Sequence, residues 1–118
     1  MSDRYRLGTR AIADLQTVLL DTERMFGHEQ RVKYTDLFHH AARLIAAEPR
    51  RVGAKSREDL RSGVRSFHLD RAAGRHGASA HMLYYVETIF EDGEPGVTIL
   101  RILHHHMDPG RHLVGDLS

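Results

Sequence analysis

Pro49 divides this sequence into two hydrophobic rhythms, and the change of period there constrains the fold more than any other feature. Before it, apolar side chains recur at helical spacing: Ile12, Leu15, Val18, Leu19, Met25 and Phe26, then Tyr34, Leu37, Phe38, Ala41, Leu44 and Ile45. Residues three and four positions apart share a helix face, so each set predicts an amphipathic helix. Gly8-Thr9 offers a break and an N-cap hydroxyl, and Gly27 supplies a stop. Glu48-Pro49 ends the second helix, because the proline ring crowds the helical conformation of the residue before it. The expected helices, 9–26 and 28–48, are joined so tightly that they must pack as an antiparallel hairpin.

Beyond Pro49 the pattern shifts toward alternation and branched residues. "VRSFHL", "AHMLYYVETIF" and "GVTILRIL" predict strands within 64–70, 79–90 and 97–104, and the acidic turn "EDGEPG" joins the last two as a hairpin. "DRYRL", with Tyr5 and Leu7 on one side, adds a short strand at the start. The polar, basic stretch 50–63 and the segment "DRAAGRHGAS" are expected loops. The result is a single α+β domain, 1–118, with an N-terminal helical hairpin packed on a small antiparallel β-sheet.

Composition excludes several classes. The chain has no cysteine, so neither a disulfide framework nor a thiolate zinc site can form, which fits a reducing cytoplasm. No apolar run approaches the roughly 18 residues of a membrane span, and the first ten residues lack an apolar signal core. A cytoplasmic protein with no membrane partner is expected. Net charge is +1 but uneven: residues 50–77 carry eight basic and three acidic side chains, while 78–96 carry four acidic and no basic ones. Such a basic segment suits nucleic acid, an acidic partner, or plain solvent exposure.

The stretch "ILRILHHHMDPGRHL", Ile99 to Leu113, raises the question of a metal site. On a strand, His104 and His106 share a face and His105 points away, while His112 and Asp108 lie beyond a proline turn. A tight site needs three or four converging ligands, and no HExxH-like spacing enforces that here. The run therefore reads as an ordered sheet end. Asp108 is placed to accept backbone N–H bonds in the turn, Arg111 to pair with it, and Leu113 to pack back. His39 and His40 sit about 100° apart on their helix, with Asp36 one turn before His40, which suggests a local hydrogen-bonded pair. No G-x-S-x-G turn and no phosphate-cradling glycine motif occurs, and Ser62 and Ser66 have basic neighbours but no triad. No cofactor is expected, and binding is favoured over catalysis.

Taken in order, several segments resemble the ParE branch of the ParE/RelE toxins of bacterial toxin–antitoxin pairs. "YRLGTRAIADL" is similar to that family's opening strand and T-x-x-A-x-x-D-L helix start, and "LIAAEPRRVGAKSREDLRSGVRSF" to its proline-ended helix and L-R-x-G-x-R-S approach to the sheet. "AHMLYYV" and the R-x-L-H-x-x-M-D-x-x-R-H-L pattern in "ILRILHHHMDPGRHL" are the parts most specific to ParE. The resemblance implies a toxin neutralised by a small ParD-like antitoxin that itself binds operator DNA, so that DNA contact is indirect. It also implies inhibition of DNA gyrase. Leu15, Leu19, Leu37, Phe38 and Arg65 are the implied antitoxin contacts, and Arg101, His104 and Arg111 the implied target contacts. RelE-like relatives instead cleave messenger RNA in the ribosome, and Arg65, Arg101 and Tyr85 would be the catalytic candidates of that alternative. Against it, Lys55 is the one lysine of the basic segment, and the ending is H-x-x-M-D in place of a basic G-K-R type.

Overall fold

The computed structural model describes residues 4–75 and 77–113. Strand β1 (Tyr5–Leu7) leads into α1 (Thr9–Phe26) and α2 (His28–Ala47), the expected hairpin. Then follow β2 (Lys55–Ser56), β3 (Arg65–His68), the short α3 (Asp70–Ala73), β4 (His81–Ile89), β5 (Pro95–His104) and α4 (Pro109–Leu113). The strands form one sheet in the order β1-β5-β4-β3-β2. Ladders β2–β3, β3–β4 and β4–β5 are antiparallel, as expected for that part, but β1 runs parallel to β5, with Tyr5 opposite Val97 and Leu7 opposite Ile99. The sheet is therefore mixed. The connection between the two runs through the helical hairpin and strands β2 to β4, far longer than the crossover a parallel neighbour requires.

Two short elements, β2 and α3, lie inside the stretches expected to be loops. Lys55–Ser56 is too short and polar to carry a periodic signal, and Asp70–Ala73 is a single turn. The N-cap of α1 is Gly8 and not Thr9, with no side-chain capping bond; Gly8 N–H instead reaches the Ile99 carbonyl at 2.9 Å. That bond ties the helix start to β5.

The core lies between the hairpin and one face of the sheet. Phe38, Ala41, Ala42 and Ile45 of α2 meet Phe67, Leu83, Tyr85, Val97, Ile99 and Ile102. The inward face of α1 departs from its apolar stripe. Ala11 is fully buried and Asp14, Leu15, Val18 and Thr22 are half-buried, whereas Ile12, Met25 and Phe26 are 47, 71 and 66% exposed. Positions 11, 14, 15, 18 and 22 share a face, so α1 is rotated to turn a carboxylate inward, which a purely apolar reading misses. The reverse face of the sheet carries a second cluster, Val64, Tyr84, Leu103 and Leu113, flanked by Leu60, Met82, Val86 and Leu100. Leu113 closes it from α4, as expected.

Gly96 marks where β1 crosses β5. A Cβ there would stand 2.3 Å from the Arg4 carbonyl oxygen and 2.4 Å from Phe90 Cε2. The backbone oxygen cannot swing aside as a side-chain tip would. Gly96→Ala is expected to lower stability by about 1–3 kcal/mol, the usual range for overpacking. Its thermal midpoint should fall accordingly; an unchanged midpoint would mean that β1 is not held against this position.

Candidate functional site

The most highly organised polar group joins α1 to the far half of β5. Arg101 is 9% exposed. Its Nε and Nη2 donate to the two carboxylate oxygens of Asp14 at 2.8 and 3.0 Å, and its Nη1 donates to the His112 carbonyl at 2.9 Å. Asp14 also accepts the Ile102 N–H at 2.9 Å. The reason is topological. β1 pairs with β5 only from Val97 to Ile99, so the outer edge of β5 is unpaired beyond that point, and Asp14 takes the place of a strand there. A bidentate carboxylate–guanidinium pair of this kind is geometrically specific.

The side chains proposed for ribonuclease chemistry do not converge. Arg65 lies opposite Tyr85 on β3 and β4, while Arg101 lies opposite Tyr84. Adjacent residues of a strand face opposite ways, and Tyr84 and Tyr85 belong to the two clusters on opposite sheet faces. Tyr85 is fully buried and donates to the Pro49 carbonyl at 2.6 Å. Burial pushes its phenol up to about 12, against the opposing pull of Arg65 beside it. A general base should titrate near the working pH and reach its proton. Tyr85 is sealed in the core with its hydroxyl committed to Pro49, and Arg65 is half-buried and donates to the Ala54 carbonyl at 3.1 Å.

Among the expected antitoxin contacts, Leu15, Leu19 and Leu37 are half-buried and keep accessible surface. Phe38 is 0% exposed and belongs to the core, so it has nothing to offer a partner; its periodicity could not distinguish inward from outward on a helix covered on more than one side. Sequence reasoning passed over Leu20 and Val32, which are exposed, and counted with the apolar stripe Met25 and Phe26, which stand exposed at the hairpin tip. Beside that tip a cleft of about 660 Å³ opens between α2 and the connector after α3, lined by Phe26, Lys33, Tyr34, Leu37 and His81 among others.

The expected target contacts are separated in kind. Arg101 is committed to Asp14, His104 is half-buried with its ring edge-on to His81, and Arg111 is exposed on α4. Arg111 bonds Asp108 through its backbone N–H to the Asp108 carbonyl at 3.2 Å; among the described residues no ion pair joins their side chains. The Asp108 carboxylate caps the turn as expected, accepting the Gly110 N–H at 3.0 Å. β5 ends at His104, so His105 and His106 lie in a turn and do not alternate along a strand; His105 folds over to His68. His39 pairs with the Tyr5 hydroxyl across α2 and β1, in place of the expected Asp36–His40 pair, and His40 is exposed. Among the described residues no three imidazoles or carboxylates converge to hold a metal ion.

An N-terminal helical hairpin on a mixed sheet, closed behind by a C-terminal turn, defines a small α+β domain. The family model described as the ParE toxin of the type II toxin–antitoxin system parDE matches residues 5–109. The chain is 32% identical over 113 residues to Toxin ParE1 of Mycobacterium tuberculosis (strain H37Rv), covering 96% of this chain and all of that one. It is 29% identical over 109 residues to Toxin ParE1 of Caulobacter vibrioides, covering 92% of this chain and 96% of that one. The chain belongs to the ParE toxin family of type II toxin–antitoxin systems. Membership brings with it an antitoxin as partner. Among the described residues no helix is long and apolar enough to cross a membrane.

Proposed function

We propose that this toxin acts in the cytoplasm by binding DNA gyrase, performs no chemistry of its own, and is held inactive by a ParD-like antitoxin that carries the operator contact. The observation that supports a binding mode is the separation of Arg65 and Tyr85 from Arg101 on opposite faces of the sheet, with Tyr85 buried and Arg101 spent on Asp14. A ribonuclease needs such groups gathered around one phosphate. The exposed apolar residues of the hairpin give an antitoxin helix a surface to cover, since isolated proteins rarely leave large apolar patches bare.

Induction without the antitoxin separates the readings. Cells should filament and stop replicating while transcripts stay intact, and purified toxin should block gyrase supercoiling or trap cleaved DNA. Transcripts cut at ribosomal A-site codons, with supercoiling untouched, would overturn the gyrase reading in favour of the RelE-like one. Co-expression with the adjacent small open reading frame should yield a stable complex; failure of every neighbour to bind would remove the ParD-like partner.

A further inference from the structure

We infer that the histidines gathered where β3, β4 and β5 end form an acid-sensitive latch, in which protonation breaks the bonds at the end of β3 and in the turn leaving β5 and so loosens the 77–81 connector beside them. Their hydrogen bonds fix where each proton sits. His68 Nδ1 accepts the Asp70 N–H at 3.1 Å, so the proton of the neutral ring is on Nε2. That nitrogen lies 3.0 Å from His105 Nδ1, which must then be the acceptor, leaving the His105 proton on Nε2. His104 Nδ1 accepts the His106 N–H at 3.2 Å. Each of these bonds uses an imidazole lone pair, and a neutral ring has only one such nitrogen. Protonation turns the acceptor into a donor and removes the bond.

The rings are close enough for their charges to repel once formed. Centroids are 5.2 Å apart for His68 and His105, 4.9 Å for His104 and His105, and 4.3 Å for His105 and His106. His81 backs the group from β4, edge-on to His104 and to Tyr34 of α2, and its buried Nδ1 has no partner among the described residues. Burial first, then the neighbouring imidazoles, hold His81 well down, to about 4. The charged groups facing the cluster are Asp70 after β3, Asp14 from α1, and Lys33 and Arg75, which line the cleft together with His81 and His105.

Asp70 makes the latch more than a sum of repulsions. Its carboxylate holds the connector by accepting the Gly77 N–H at 2.9 Å and the Ser79 N–H at 2.7 Å. Its Oδ2 also lies 3.8 Å from His68 Nδ1. A proton on that nitrogen gives the carboxylate a charged competitor for the connector, while the Asp70 N–H loses its acceptor. The connector and the turn are themselves joined by the His105 N–H to the Ala80 carbonyl at 2.7 Å, so they loosen together. The cleft beside the hairpin has its wall in this connector and opens when the latch does.

The intact chain tests this by nuclear magnetic resonance. At about pH 7.5, above the ordinary histidine range, long-range proton–nitrogen spectra should show His68, His104 and His105 as Nε2–H tautomers. On titration to about pH 5 the amides of Asp70, Gly77, Ser79 and His106 should shift together and reversibly. Exchange protection across 77–81 and 104–107, corrected for intrinsic rate, should drop about tenfold or more relative to the centre of β4–β5. His105→Gln keeps an acceptor but cannot titrate, and should blunt the coupled shift at unchanged neutral-pH spectra elsewhere. Nδ1–H tautomers at neutral pH, amides that hold their positions, or an unaltered titration in His105→Gln would each overturn the latch.

Discussion

Replacing Asp14 with alanine will destabilise the domain by about 3–5 kcal/mol, the loss typical of stranding a charge whose buried partner is removed. Three donors lose their acceptor at once: Arg101 Nε, Arg101 Nη2 and the Ile102 N–H. The side chains of the pair are only 11 and 15% exposed, so water reaches the orphaned guanidinium poorly. Asp14→Asn should fall between, since its amide oxygen still accepts from Ile102 while the charge is gone. Removing both partners, as Asp14→Leu with Arg101→Met, should recover much of the loss, because an apolar pair leaves nothing unsatisfied. Chemical denaturation of the wild type, Asp14→Leu, Arg101→Met and the double variant gives the coupling directly. If Asp14→Ala lost less than about 1 kcal/mol, the pair would be no better than a surface ion pair and Arg101 would regain its claim as a target contact.

Phe38→Ala is expected to cost about 3–5 kcal/mol, the range for deleting a buried ring. For a domain whose whole stability is about 5–15 kcal/mol, that removes from about a fifth to all of the margin. The comparison that matters is with Leu19→Ala. Leu19 is half-buried on α1, so its truncation should leave the thermal midpoint nearly unchanged and weaken antitoxin binding instead, by about 30-fold if it is a central contact. The opposite pattern, a stable Phe38→Ala that no longer binds antitoxin, would place Phe38 on the surface of the complex.

These two variants show what could be read from residues alone. The hairpin was legible because period and punctuation agreed: apolar spacing, Gly27 and Pro49 all point to the observed ends of α1 and α2. The three long strands were legible for the same reason. Which residues of α1 face inward was not, because Asp14 is buried by Arg101, a partner 87 positions away. The available signal was a carboxylate one turn from Ala11, the smallest residue of that face. Phe38 and Leu37 are neighbours on one apolar stripe, and only the packed sheet decides which is sealed. β1 appeared as a strand, but its parallel pairing is a property of topology and no local pattern encodes it. The histidine run declared itself in composition, while the bond of His105 to His68, which in turn meets Asp70, depends on where β3 ends.

The position of β5 in the chain has a consequence for synthesis. β5 lies between β1 and β4, holds Gly8 through Ile99 and receives Asp14 through Arg101 and Ile102, yet it follows the other four strands of the sheet in sequence. The hairpin and its apolar residues are made before the strand that seals them. Nascent chains exposing such surface are prone to association. A product ending before Arg101 lacks the Asp14 clamp and the contribution of Leu113 from α4, and is expected not to fold. The clamp thus makes the hairpin's native packing depend on a strand made after it: α1 has no partner for its buried carboxylate until β5 is present.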